Sequence, residues 1–364
     1  MREGVVKFNN SDKPEFFKVL IKRVNQHFSQ KKLSKQGNWT MVVKTVFMCC
    51  VYFIPLILMV TQTVTSVPAV MGMWVIMGLG MSGIGLSVMH DANHGSYSKN
   101  PKINRRVGYI INLVGGYHVN WKIQHNVLHH SFTNIEGLDD DISKHNIMRL
   151  SPHQKKKSIY KYQLYYAPFF YSLLSIYWFL GKDIEQLFKY NKENLIQEQG
   201  LTFRQAAIEI TLSKLLYGSL FLVLPLAFAS VAWWQTLLGF ILMHAICGQI
   251  LALVFQCAHV LDETDFFEPS PDTSMENSWA VHQMRTTANF ARGGRIFSWL
   301  IGGLNYQIEH HLFPNICHIH YRDISKIVKQ TAQEYDVPYN DHKTFGHALV
   351  SHFTMLNKLG VGAI

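Results

Sequence analysis

Charge is what this sequence lacks. Only 16% of its 364 residues are Asp, Glu, Lys or Arg, whereas 48% are hydrophobic and 13% aromatic. A soluble globule of this length usually carries more charge. The deficit is concentrated, because no charged residue occurs from Thr45 to Met89 or from Leu215 to Leu261. Each blank is more than double the ~20 residues that one bilayer crossing needs. Each therefore predicts a helical hairpin, and together they predict four spans. Cysteine is also scarce: Cys49, Cys50, Cys247, Cys257 and Cys317 form no C-x-x-C pair, which excludes a zinc ribbon and a disulfide framework. The start, "MREGVVKFNNSDKPEFF", has no apolar signal core, so the first span is expected to direct insertion itself. There is no internal repeat, and no low-complexity segment beyond the basic run "HQKKKS".

Within the first blank, "VYFIPLILMV" and "MGMWVIMGLGMSGIGLSVM" flank the uncharged polar run "TQTVTSVP", which places Pro68 in the first turn of the second helix. The second blank divides at "SVAWWQT", where Trp233 and Trp234 suit a membrane interface. Pro55 and Pro225 fall inside spans, where neighbouring helices tolerate a kink. Ten Lys and Arg lie in residues 1–44, sixteen in 90–214 and eight in 262–364, which accounts for all 34. Both hairpin tips carry none. The positive-inside rule then puts both termini and the middle segment in the cytoplasm. The net charge of +10 is read mainly as a topology signal, with "HQKKKS" a lipid-headgroup contact and no nucleic-acid partner implied.

The expected fold is an all-α integral membrane protein. Its segments are a cytoplasmic N-terminus (1–44), hairpin one (45–89), a cytoplasmic segment (90–213), hairpin two (214–258) and a cytoplasmic C-terminal segment (259–364). The sixteen apolar residues "YYAPFFYSLLSIYWFL" (Tyr165 to Leu180) are too few for a span and read as an interfacial helix. If they crossed, the C-terminal histidines would face the opposite side from the others.

Histidine carries the chemistry. "HDANHG" places His90 and His94 four apart; "QHNVLHHSFTN" repeats the spacing with His125 and His129 and adds His130; "QIEHH" brings Gln307, His310 and His311. On a helix, rings four apart point the same way, which suits two ligands of one metal site. Adjacent histidines point about 100° apart, so the pairs His129/His130 and His310/His311 suit two metals. Seven box histidines also exceed what one ion accepts. His259, at the end of the fourth span, is an eighth candidate. His244, fifteen residues deeper in that span, reads as a hydrogen-bonded packing residue.

Asp91 and Glu309 adjoin candidate ligands and are expected to hold the far nitrogen of a ligand ring, with Asp139 to Asp141 doing so for the second box or lying in solvent. Gly78, Gly80, Gly83 and Gly85 on the second span give room for a lipid tail or close helix packing. His282, His318 and His320 are expected in ordinary interfacial roles, and His145, His153, His342, His347 and His352 at the surface.

At these residues the chain resembles the integral-membrane fatty acid desaturase and hydroxylase superfamily. "HDANH", "HNVLHH" and "QIEHH" match its three histidine boxes in order and type, over a likeness from about Asn38 to Pro338. Gln307 at the head of the third box resembles the front-end desaturases, which act between an existing double bond and the carboxyl end. The resemblance implies a non-haem di-iron centre with His90, His94, His125, His129, His130, His259, His310 and His311 as ligands. Gln307 takes a slot where other branches have histidine, binding directly or through water. It further implies O2 as co-substrate and an acyl-CoA or acyl-lipid substrate. All-nitrogen ligation is compatible with iron, and zinc lacks the redox chemistry that an unactivated methylene demands.

Front-end enzymes often carry a fused cytochrome b5 domain, but residues 1–40 are too short for one and no "HPGG" occurs. Electrons are thus expected from an external ferredoxin or free cytochrome b5, steered by the basic face, and the setting is expected to be a bacterial inner membrane. The rival readings are a di-iron lipid hydroxylase and a non-catalytic membrane metal binder or transporter, the latter requiring ligands near the bilayer midplane.

Overall fold

The computed structural model describes residues 6–142, 147–270 and 272–364. His145, expected at the surface, lies outside them. The described residues are mostly helical, and their one sheet pairs β1 (Ala288–Phe290) in parallel with β2 (Asn340–His342), Ala288 opposite Asn340. Four helices are long and apolar enough to cross a membrane: Trp39–Val60, Val67–Asn93, Phe203–Phe228 and Trp233–His259. They are the four expected from the uncharged blanks. Asn38 caps the first by accepting from Thr40 N–H at 2.9 Å. Pro68 sits in the first turn of the second, and Thr202 and Gln205 form a capping box at the third.

The chain divides into two compact units. One comprises residues 38–123 and 168–252. Here the glycines of the second span make room for helices. A methyl on Gly80 would lie 2.8 Å from the backbone nitrogen of Tyr52 on the first span, and one on Gly78 would lie 2.8 Å from the Met243 carbonyl on the fourth. Gly83 abuts Met48, and only Gly85 keeps ordinary distance, 3.4 Å from Leu251. The tail-room reading is thereby corrected to close helix packing at Gly78 and Gly80, where the space a side chain would need already holds backbone. His244 behaves as expected: buried, it meets Ser175 Oγ at Nδ1 and Tyr217 OH at Nε2, each at 3.0 Å.

Residues 165–180 are not among the four spans. Their helix, Gln163–Tyr177 continued by a π-turn over Trp178–Lys182, exposes Tyr165, Phe169 and Leu180 and bonds Gln249 through Ser172. Lys214 pairs with the buried Asp183 and donates its remaining bonds locally, to the carbonyls of Gly115 and Trp178.

The other unit comprises residues 1–37, 124–167 and 253–364. Its core joins the helices Pro14–Gln30, Trp279–Thr286, Gln307–Leu312 and Tyr321–Glu334 through Phe16, Leu20, Met284, Ile308, Ile324 and Val328. Phe16, Leu20, Val24 and Phe28 recur every four residues, which is why one face of the first helix is buried. Several histidines depart from expectation. His352 is fully buried rather than at the surface, its Nδ1–H donating to the Val260 carbonyl at 2.9 Å. His282 and His318 are likewise buried, not interfacial, while His320 is half-buried with its ring edge-on to Phe28 at 5.1 Å. His153 and His347 are exposed and His342 half-buried.

Gly80→Ala is expected to lower stability by about 1–3 kcal/mol, the usual cost of overpacking. Gly72→Ala, with nothing within 4 Å of the added methyl, should leave it unchanged or raise it slightly. Thermal unfolding of both variants in detergent checks the contrast.

Candidate metal centre

The second box lies on a π-helix, Ile123–His129, followed by a short turn of α-helix from His130. In an i→i+5 turn, residues five apart fall nearly over one another. His125 therefore meets His130, their Nε2 atoms 3.3 Å apart. His310 Nε2 joins them at 3.0 Å from His130 and 3.4 Å from His125. His125 and His129, expected at one site, stack 5.5 Å apart and still offer ligand atoms within 4.8 Å of one another together with Asp141, while His129 also converges with other residues.

That second convergence joins His129, His259 and His311, each offering a ring nitrogen within 4.8 Å of the others. All three are buried, and each has its Nδ1 against an acceptor. His129 Nδ1–H points at Asp139, 3.1 Å from Oδ2, with Asp141 at 3.6 Å. His259 Nδ1–H donates to the Thr286 carbonyl at 3.2 Å. His311 Nδ1–H donates to Gln283 Oε1 at 2.8 Å. This fixes the tautomer and turns the Nε2 lone pairs inward. Nε2 of His129 and of His259 are buried without a hydrogen-bond partner, an arrangement costly unless something else binds them. Burial opposes a charge on His129, but Asp139 and then Asp141 outweigh it and hold its pKa above the ordinary value.

The local fold explains the aim of these rings. Asp139, wholly buried, also accepts the backbone N–H of Asn134 and of Asp141, both at 2.9 Å. Asn134 adopts φ +55°, which Asn tolerates, and its side chain donates to the His259 carbonyl at 2.8 Å. One loop thus ties the second box to the end of the last span. Gly302 and Gly303, both at φ +66°, make the turn ahead of the third box, and a methyl on Gly303 would strike His318.

Asn289 on β1 then anchors the box-three helix, accepting from Ile308 N–H at 3.0 Å and donating to Glu309 at 2.8 Å. Glu309 bonds Asn289 and the Tyr339 hydroxyl, at 2.9 Å. Its expected role toward a ligand ring is corrected, because on this helix it points to the far side. Burial raises its pKa to about 7. Asp91 Oδ1 is 3.7 Å from His90 Nδ1, beyond a hydrogen bond.

His90 and His94 belong to the span-bearing unit, where a π-turn over Ile84–Val88 precedes them. Their rings lie 4.7 Å apart, each edge-on to Trp121. Gln307 is buried beside His259.

The residues fit a metal. Nitrogens about 2.1 Å from one ion lie roughly 3.0 Å apart at right angles and roughly 3.4 Å apart at tetrahedral angles, which brackets the spacing within His125, His130 and His310. Histidine-only donors without thiolate suit iron as well as zinc or copper.

Two residues that matter here were invisible to motif reading. Gln283 accepts from His311 and donates to the His130 carbonyl at 3.3 Å, bridging both boxes while wholly buried. His282 Nε2–H donates to the Thr133 carbonyl at 2.7 Å, pinning the end of box two. Neither shows a spacing signal, although both fall in the family-like run "HQMRTTANF". Gln283→Leu is expected to weaken metal retention about 10–100-fold, while Gln283→Glu, which keeps an acceptor, should retain most of it. Metal per chain after dialysis against a chelator series checks this.

Comparison with known proteins agrees with this geometry. Residues 65–343 match the family model described as fatty acid desaturase. The sn-1 linoleoyl-lipid 6-desaturase of Synechocystis sp. is 34% identical over 96% of this chain and 97% of its own length. The Arthrospira platensis protein of the same name is 31% identical over 95% and 93%. The acyl-lipid (8-3)-desaturase of Physcomitrium patens is 32% identical over 99% of this chain and 75% of its own length. A histidine-rich, four-span chain that matches the family model over most of its length belongs to the fatty acid desaturase family, and it is an oxidoreductase.

Proposed function

We propose that this chain is an acyl-lipid desaturase of the front-end type that introduces a cis double bond at a centre of two non-haem irons. The observation that carries the reading is the convergence of His129, His259 and His311 with every Nδ1 proton held by an acceptor. The proposed ligands are these three with His125, His130 and His310, and with His90 and His94 assigned by their box. Gln307, beside His259, is proposed to act next to the metal through water rather than as a ligand. The relatives named above are acyl-lipid desaturases by name, and "QIEHH" supports the front-end branch.

Iron in such a site supplies, with O2 and two electrons, the oxidising power that an unactivated methylene requires. In balance, –CH2–CH2– with O2, two electrons and two protons gives –CH=CH– and two waters. The chain's own part is to hold the ring nitrogens fixed and unprotonated, and to keep the centre buried. The electrons are proposed to come from a separate ferredoxin or cytochrome b5 attracted to basic residues. The charge distribution supports an orientation with both termini and residues 90–213 and 259–364 in the cytoplasm, in a bacterial inner membrane.

Cells expressing the chain with a ferredoxin system are expected to accumulate a new unsaturated fatty acid, lost in His310→Ala/His311→Ala. Gas chromatography with mass spectrometry reads both the product and its bond position. A hydroxy acid instead would move the assignment to the hydroxylase branch; iron-loaded, folded protein without either product would remove the lipid oxidation reading. Iron analysis should give two per chain for the wild type and less for His129→Ala.

A further inference from the structure

A second cluster of ligand-type groups lies in the span-bearing unit and is used by nothing described above. His118 opens the short helix His118–Lys122, so Lys122 stands one turn along, over the same face. The ring is nine-tenths buried, and its Nδ1 has no hydrogen-bond partner. It packs edge-on against Tyr109 at 4.4 Å. The Tyr109 hydroxyl accepts from Arg105 Nε at 3.0 Å, and the guanidinium lies 5.8 Å from the centre of that ring.

Among the described residues neither Lys122 nor Arg105 stands at ion-pair distance from a carboxylate. The charge that acts on the half-buried Lys122 is Arg105, another cation. The one acid acting on Arg105 is Glu209, whose carboxylate already accepts from Tyr117 OH at 2.6 Å. Two cations outside any close ion pair, a phenol and a buried imidazole with an open nitrogen thus share one place. Such a set matches a phosphate group, which accepts several charge-assisted bonds at once. Burial, then Lys122 and Arg105, push His118 down to about 3, so the ring is neutral and can donate one N–H.

The place also suits a lipid. Asn93, at the end of the second span, donates to the Gly108 carbonyl at 3.3 Å, and Tyr52 OH of the first span donates to the Leu113 carbonyl at 3.0 Å. The segment carrying the cluster is therefore fastened through Asn93 to the end of the second span, where headgroups lie, while Tyr52 holds Leu113 from the interior of the first and Arg105 remains exposed.

We propose that Arg105, Tyr109, His118 and Lys122 form a binding site for the phosphate of a phospholipid headgroup. The proposal rests on the membrane reading above, but its test needs no desaturation. Binding to the holoenzyme in neutral detergent is measured by calorimetry with dioctanoyl phosphatidylglycerol, with dioctanoylglycerol and with inorganic phosphate. The expected result is saturable phosphatidylglycerol binding, weakened at least tenfold by Lys122→Gln and by Arg105→Gln and left intact by the exposed control Lys343→Gln.

His118→Gln, which keeps an amide N–H, should fall between. Lys122 and Arg105 reach solvent, so their variants remain informative if His118→Gln misfolds. Equal binding of dioctanoylglycerol, or wild-type affinity in both cation variants, overturns the proposal. Inorganic phosphate binding as tightly as the lipid would overturn the lipid assignment and leave an anion site. Loss of the new fatty acid in cells with this binding pattern intact would count against the proposed function alone.

Discussion

The centre depends on one constraint: an imidazole can give a metal only one lone pair, and only if its other nitrogen carries the proton. The protein meets this by supplying an acceptor to Nδ1 of His129, His259 and His311, in three chemical forms. Asp139 is a carboxylate, Thr286 a main-chain carbonyl and Gln283 a side-chain amide. These differ in charge, so the three rings differ in basicity even where their ligand atoms are alike. A carboxylate behind His129 makes it the most electron-rich of the three.

The rest of the unit can be understood as support for those acceptors. Asp139 is held by two main-chain N–H groups, and the Asn134 turn carries that order to the end of the last span. Gln283 sits on a helix whose core contacts include Met284 and Ile308, so its amide is aimed by packing as well as by Thr133 at 3.0 Å. The small parallel sheet has a similar use, because Asn289 on β1 meets the main chain of the third box.

How much of this was legible follows from sequence range. The spans were readable because lipid forbids charge over a whole segment, and the boxes because their ligands lie within six residues of one another. Of the acceptors only Asp139, ten residues from His129, was within the reach of such reading, since Gln283 lies 28 residues from His311 and Thr286 lies 27 from His259. Glu309 was misassigned because adjacency along the chain says nothing about which side of a helix faces the metal. His125 and His129 were paired by α-helical spacing, and the local π-turn adds a contact five residues on, between His125 and His130. His352 was taken for a surface residue because a carbonyl partner 92 positions away leaves no mark on the sequence.

The unit that holds these six histidines is assembled from three separated stretches of chain, 1–37, 124–167 and 253–364. Its first helix, Pro14–Gln30, packs in one core with Tyr321–Glu334, so residues made early must wait for residues made late. Domains generally fold as units during synthesis, and this one lacks the partner of its first helix until translation has passed Glu334. A nascent chain bearing the first two boxes therefore has no finished cage with which to trap an ion. The proposed ligands thus come together only after the late stretch has been made, and the order of synthesis sets when such a cage can close.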